Sequence, residues 1–152
     1  MNRVRAAGLL LALILAGQGA PLRAQVFRGD TLVLVVSASS AVTSLDAIDV
    51  KRLFMGIPVA SGDGNLHALL NFSDERLRAL FYQHIVGMTQ GMYERRTMAL
   101  TLEQGRRAPA TVDEDAELLA RVAGDPLAVS FAWRRHLAEH PDLRVVRVLW
   151  RE

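Results

Sequence analysis

Cysteine is absent from the 152 residues. That excludes thiol catalysis and disulfide staples, so an oxidising compartment would add nothing to the stability of this chain. Lysine occurs once, at Lys51, and nearly all positive charge is therefore arginine. No internal repeat and no low-complexity segment interrupts the sequence. After residue 16 no run is apolar enough to span a bilayer. The surplus of positive charge is also missing once the chain is divided, as follows.

Arg3 and Arg5 precede an apolar run, Ala6 to Ala16, and a stretch containing glycine, alanine and proline follows. This is the layout of a secretory signal peptide, with Leu22-Arg23-Ala24 as the cleavage site. The run is shorter than the roughly 18 to 20 apolar residues that a span needs. The expectation is a leader over 1–24 and an exported, periplasmic domain over 25–152. Loss of Arg3, Arg5 and Arg23 from 18 basic residues leaves 15 against 16 acidic ones, a net charge of −1. A nucleic-acid partner needs a basic face, and this composition supplies none. The remaining 128 residues suffice for one core and one domain.

The first strand is predicted in "DTLVLVVSASS", where Leu32 to Val36 are apolar throughout, as in a strand buried on both faces. In "VTSLDAIDVKRLFMG", Thr43 and Asp46 have the spacing of a capping box, Leu45, Ile48 and Leu53 supply an apolar face, and Gly56 stops the helix. "IPVASGDGN" reads as a loop with a tight turn at Gly62-Asp63-Gly64. A second strand, "LHALLNF", runs into a helix capped by Ser73, with Leu77, Leu80, Phe81 and Ile85 on one stripe and Gly87 at its end. "TQGMYERRTMALTL" reads as a helix and "EQGRRAPA" as a loop. Thr111 and Glu114 form a T-x-x-E box before the helix "DEDAELLARVA". The strand "LAVSFAW", the turn or short helix "RRHLAEHP" and the strand "LRVVRVL" complete the chain. Strands alternating with helices give an α/β domain with a mainly parallel sheet.

Two places can bind an anion. Ser37, Ser39, Ser40 and Thr43 are short donors between a buried strand and a helix start, the position ligands favour in open α/β sheets; Thr43 or Ser44 serving only as a cap is the alternative. The second place is the helix start after Ser73, where backbone N–H groups can hold an anion. There Asp74 and Glu75 already complement the helix dipole by about 0.3 to 1 kcal/mol each, and Arg76 and Arg78 are either ligands or ion-pair partners. Three arginine pairs, Arg95-Arg96, Arg106-Arg107 and Arg134-Arg135, are solvated faces or oxyanion forks; Arg106 and Arg107 are the most interesting because they lie in a loop. His136 and His140 could supply two ligands to a metal, but no third is signalled nearby, so no metal and no cofactor is expected. Ser73 and Ser130 lack a neighbouring histidine and a nucleophile elbow. Crowded acids at Asp113, Glu114 and Asp115 are explained by capping, and Trp133 and Trp150 by packing.

In order and spacing these segments resemble the periplasmic phosphate-binding proteins of phosphate ABC transporters, the type II solute-binding fold. "SSAVTSLDAIDVKRLFMG" is similar to the family's S-x-x-V-x-x-L signature, and "GDGNLHALLN" to its turn and strand. "RLRALFYQHIVGMTQGMY" and "EQGRRAPATVDEDAELLARVAGDPLAVSFAW" resemble the later helix, loop and strand. The resemblance runs from about Thr31 to Leu149 and implies a single three-layer-type domain like one lobe of the fold, non-enzymatic, with oxyanions held at loop and helix starts. With the readings above, Ser37, Ser39, Ser40, Thr43, Ser73, Arg76, Arg106 and Arg107 are the candidate ligand residues, and a small oxyanion such as phosphate, or a membrane transporter or sensor, the candidate partners. A full member has two lobes, and its phosphate-binding turn is of Gly-Ser-Gly-Thr type. This chain has the length of one lobe and carries Ser73-Asp74-Glu75-Arg76 in that turn. The implied functions are therefore a protein that binds an oxyanion weakly or not at all, or a single-lobe module that docks on a membrane sensor or envelope partner.

Overall fold

A computed structural model describes residues 29–62 and 64–152. The predicted leader and Asp63 lie outside the described residues. An interior strand of the sheet is β1 (Thr31–Ser37), and its residues Leu32 to Val36 are fully buried. Because successive side chains of a strand point to opposite faces, Leu32, Leu34 and Val36 enter one core while Val33 and Val35 enter another.

Around β1 the chain builds α1 (Ala47–Phe54), β2 (Val59–Ser61), β3 (Gly64–Asn71), α2 (Glu75–Leu80), α3 (Gln90–Gln104), β4 (Ala110–Val112), α4 (Asp115–Ala123), β5 (Ala128–Trp133) and β6 (Leu143–Arg151). The strand order is β2-β3-β5-β1-β6, with β4 beside β3. Helices cover both faces. Leu118, Leu119 and Val122 of α4 pack on Val33 and Val35, while Val50, Leu53 and Phe54 of α1 and Leu77 and Leu80 of α2 pack on the opposite face. The three-layer expectation holds.

The sheet is mixed rather than mainly parallel. Only β3 with β4 and β3 with β5 run parallel; β1 is antiparallel to both β5 and β6, and β2 to β3. The alternation of helices and strands governs only the direct crossovers from β3 through β5. No such connection joins β1 to its two neighbours. A tight turn at Gly62 (φ 53°) makes β2 and β3 a hairpin, which must be antiparallel. Both β2, in the predicted loop "IPVASGDGN", and β4, in "ATV", are strands of three residues, too short to show a periodicity.

Helix starts lie one to three residues beyond the predicted caps. Asp46, not Thr43 or Ser44, caps α1 by accepting from the Asp49 N–H at 2.7 Å. Asp74, not Ser73, caps α2 through the Leu77 N–H at 2.8 Å. Thr111 is part of β4, and Glu114 precedes α4 without a side-chain cap. Ile48, predicted on the apolar face of α1, is 70% exposed.

After Leu80 the helix widens into a π-type turn over Phe81–Val86 and ends at Gly87 (φ 65°). The wider turn buries Phe81, Ile85 and Val86 together. Phe81 stands among Phe54, Phe72, Tyr82, Tyr93 and Phe131, with ring centroids 5.1–5.8 Å away. Burial, with Tyr82 beside it, raises the Tyr93 phenol above its ordinary value, so it stays a neutral donor to the Phe54 carbonyl at 2.7 Å. The end of α1 is equally constrained. Gly56 has φ 74°, and a Cβ there would lie 2.7 Å from the Arg107 carbonyl oxygen. Gly56→Ala is expected to destabilise the protein by about 1–3 kcal/mol, read from the urea midpoint at unchanged m-value.

Candidate functional site

Strand directions decide which candidate residues meet. The carboxyl ends of β3, β4 and β5 lie at one end of the sheet, next to the start of β1. Ser37 lies at the far end of β1, about 20 Å away at 3.3 Å per residue. The serine loop and the Ser73 turn are thus separate places, and no single small ligand touches both.

At the far end the serine loop is closed on itself. Ser37 is buried; its hydroxyl bonds the Ala123 carbonyl at 3.0 Å and the Ser39 hydroxyl at 2.8 Å. Ser40 is buried, and its oxygen accepts from Val42 N–H at 3.4 Å. The Arg144 guanidinium holds the loop down by donating to the carbonyls of Ser40 and Val42 at 2.8 and 2.7 Å. Thr43 is exposed, and α1 starts only at Ala47, so these hydroxyls do not stand at a helix N-terminus.

At the other end a polar network fills the space above β3 and β5. Asn71 is fully buried. Its amide donates to Asp115 Oδ1 and the Phe131 carbonyl, both at 3.0 Å, and its oxygen accepts from Ser73 N–H at 3.2 Å and Ser73 Oγ at 2.6 Å. The Ser73 hydroxyl is therefore committed to Asn71 and is not the helix cap. Asp115 Oδ2 meets His136 Nδ1 at 2.7 Å. Asp74 uses both oxygens, one for the α2 cap and the other to accept from the Trp133 indole at 2.9 Å. The carboxylate of Asp74 itself fills the anion position at the helix start.

The cations around it are engaged as well. Arg76 pairs with Asp30 at 2.9 Å and with Glu152 at 3.1 Å, and its guanidinium lies over Trp133 and Trp150 at 5.3 and 5.2 Å. Arg135 also bonds Asp30 and lies 5.2 Å over Trp133, so the two guanidiniums share one indole. Arg78 pairs with Glu75 at 3.1 Å. Three guanidiniums thus pair with three carboxylates, Asp30, Glu75 and Glu152, while Asp74 takes its hydrogen bonds from Leu77 and Trp133.

The third candidate place is the loop after α3. Arg106 donates to Gln104 at 2.6 Å. Arg107 is exposed and lines a cleft at the outer edge of β3. Neither reaches the α2 start. Among the described residues no group of three His, Asp or Glu side chains is placed to hold a metal, and no helix is long and apolar enough to cross a membrane. The hydroxyls of Ser73 and Ser130 donate to the Asn71 side-chain oxygen and the Leu69 carbonyl, and no imidazole is hydrogen-bonded to either.

Asp30, Asn71 and Asp115 were not singled out in the sequence as site residues. Asn71 alone left a signal, a polar residue closing the apolar run "LHALL". Asp30 and Glu152 meet only because β6 returns beside β1.

No family model and no curated protein matches the chain. Solved structures do. An ABC-type phosphate transport receptor from Vibrio cholerae superposes with a TM-score of 0.57 at 15% identity, over 79% of this chain and 46% of that one. A structure from Clostridium perfringens, assigned as a phosphate ABC transporter substrate-binding protein and carrying bound phosphate, gives 0.59 at 14% identity, over 79% and 45%. PstS from Borrelia burgdorferi gives 0.57 at 12%, over 78% and 47%. The chain thus shares its fold with about half the length of each of these proteins.

Proposed function

We propose that this chain is a non-enzymatic, exported solute-binding-like domain that holds inorganic oxyanions weakly or not at all. The fold shared with the phosphate receptors supports the solute-binding part, and the layout of residues 1–24 supports export to the periplasm. The observation that carries the weak affinity is the Asp74 carboxylate, which takes the Leu77 N–H and the Trp133 indole N–H where an anion would sit. A phosphate dianion arriving there meets like charge worth about 1 kcal/mol or more per pair. Calorimetric titration of the protein with phosphate and with sulfate tests this. A dissociation constant tighter than about 1 μM, worth about 8 kcal/mol, overturns it.

A second reading, a single-lobe module that docks on a membrane sensor, transporter or envelope partner, is favoured by the exposed apolar side chains of α1 and α3. Of the 15 residues of α3 only Tyr93 and Thr97 are buried, while Met92, Met98 and Leu102 are exposed, as is Ile48 on α1. Lys51, Arg52 and Arg96 stand at the groove between these helices. The segment that suits it is apolar with acidic flanks. Because Met98 and Leu102 do not serve the core, replacing both by Gln is expected to change unfolding free energy by less than about 0.5 kcal/mol. A larger loss in a urea titration would assign them to folding instead.

A further inference from the structure

The outer edge of β3 is covered in two pieces. β2 pairs with Gly64–Leu66 and β4 with Leu69–Asn71, which leaves His67 and Ala68 with no strand partner on that side. The gap opens into a cleft of about 460 Å³, within the usual range of small-molecule sites. An imidazole and two guanidiniums from three elements line it, His67 of β3, Arg107 of the loop after α3 and Arg121 of α4, together with the Asn65 carboxamide. No carboxylate lines it among the described residues. The acids nearest these groups stand outside, Glu117 at 3.6 Å from Arg121 and Asp125 at 3.2 Å from His67, and Arg107 has no ion-pair partner among the described residues. Part of the wall is apolar, with Leu53, Ile57 and Leu66. The close approach of Gly56 to the Arg107 carbonyl fixes the loop against this wall.

We infer that this cleft binds a small organic anion, a carboxylate carried on a short apolar body. A guanidinium fork matches a carboxylate with two parallel hydrogen bonds, and Arg107 and Arg121 are the forks available. An inorganic oxyanion needs donors on all sides, and against Leu53, Ile57 and Leu66 part of its surface would lose water with no hydrogen bond in return. An apolar body gains from the same wall. The site lies on the outer edge of β3, away from the α2 start, and stands or falls independently of the reading proposed for Asp74.

Benzoate is a suitable probe, with inorganic phosphate as the anion lacking an apolar body and benzyl alcohol as the body lacking charge. Calorimetry and amide-resolved NMR of the full protein are expected to show benzoate saturating one site and shifting the amides of Ala68, Arg107 and Arg121. Phosphate and benzyl alcohol should bind at least tenfold more weakly. Arg107→Ala and Arg121→Ala should each lower benzoate affinity tenfold or more, about 1.4 kcal/mol, while a variant altered at Asp74 and Glu75 keeps it. Benzoate that fails to saturate, phosphate that matches it, or affinity that survives Arg107→Ala overturns the assignment.

Discussion

Phe81→Ala is expected to lower the unfolding free energy by about 3–5 kcal/mol, enough to leave a marginal domain largely unfolded at ordinary temperature. The chain has few aromatic residues, but they are concentrated. Phe81 is fully buried, stacks on Phe131 at 5.4 Å with an interplanar angle of 15°, and meets Phe54, Phe72, Tyr82 and Tyr93 edge-on. Removing it deletes transfer energy, leaves a cavity between α1, α2 and β5, and breaks aromatic pairs worth about 0.5–1.5 kcal/mol each, not additively. Phe81→Leu keeps much of the volume and should cost about half as much or less. Urea unfolding followed by circular dichroism measures both. A loss below about 1 kcal/mol for the alanine variant would mean that the aromatic cluster is not what holds the helical layer to the sheet.

The paired change Asp74→Gly and Glu75→Ser is expected to raise phosphate affinity about tenfold or more, because it removes two like charges each worth about 1 kcal/mol against the dianion. It also vacates the position that the Asp74 carboxylate fills at the Leu77 N–H. The gain should be larger at low salt, since charge near the surface is screened. Stability should fall by about 1–3 kcal/mol, partly from the lost cap and partly because the buried Trp133 indole loses its acceptor. Titrating both proteins at low and moderate salt decides the matter. Micromolar binding by the wild type, with weaker binding by the variant, would show that these acids fix the arginines or the ligand itself.

Much of the fold could be read in the sequence because it rests on local pattern. The uninterrupted run Leu32–Val36 announced a strand buried on both faces, and the stripe Leu77, Leu80, Phe81 and Ile85 is buried as a unit. What escaped the sequence depends on distant partners. Ser73 and Asp74 are both good caps by type; Asn71, brought alongside by the end of β3, takes the Ser73 hydroxyl and leaves the cap to Asp74. The directions of β5 and β6 against β1 are fixed by no local rule, and those directions put Ser37 and Ser73 at opposite ends of the sheet. The candidate residues were therefore visible one by one, while their separation was not. Asp30 became a partner of Arg76 and Arg135 only through that same arrangement.

The placement of β1 between β5 and β6 has a consequence for the order of assembly. This strand precedes all the others in the sequence, yet both of its neighbours come late in it: Leu32 faces Trp133 and Trp150. Loops of about 100 residues must close before β1 gains either partner, so contact order is high and folding correspondingly slow. Until the final residues are available, Leu32–Val36 is an unpaired apolar strand with both edges open, the kind of segment that associates with other chains. An incompletely synthesised chain would need a holdase over this stretch, and truncation before β6 should convert a folding chain into an aggregating one.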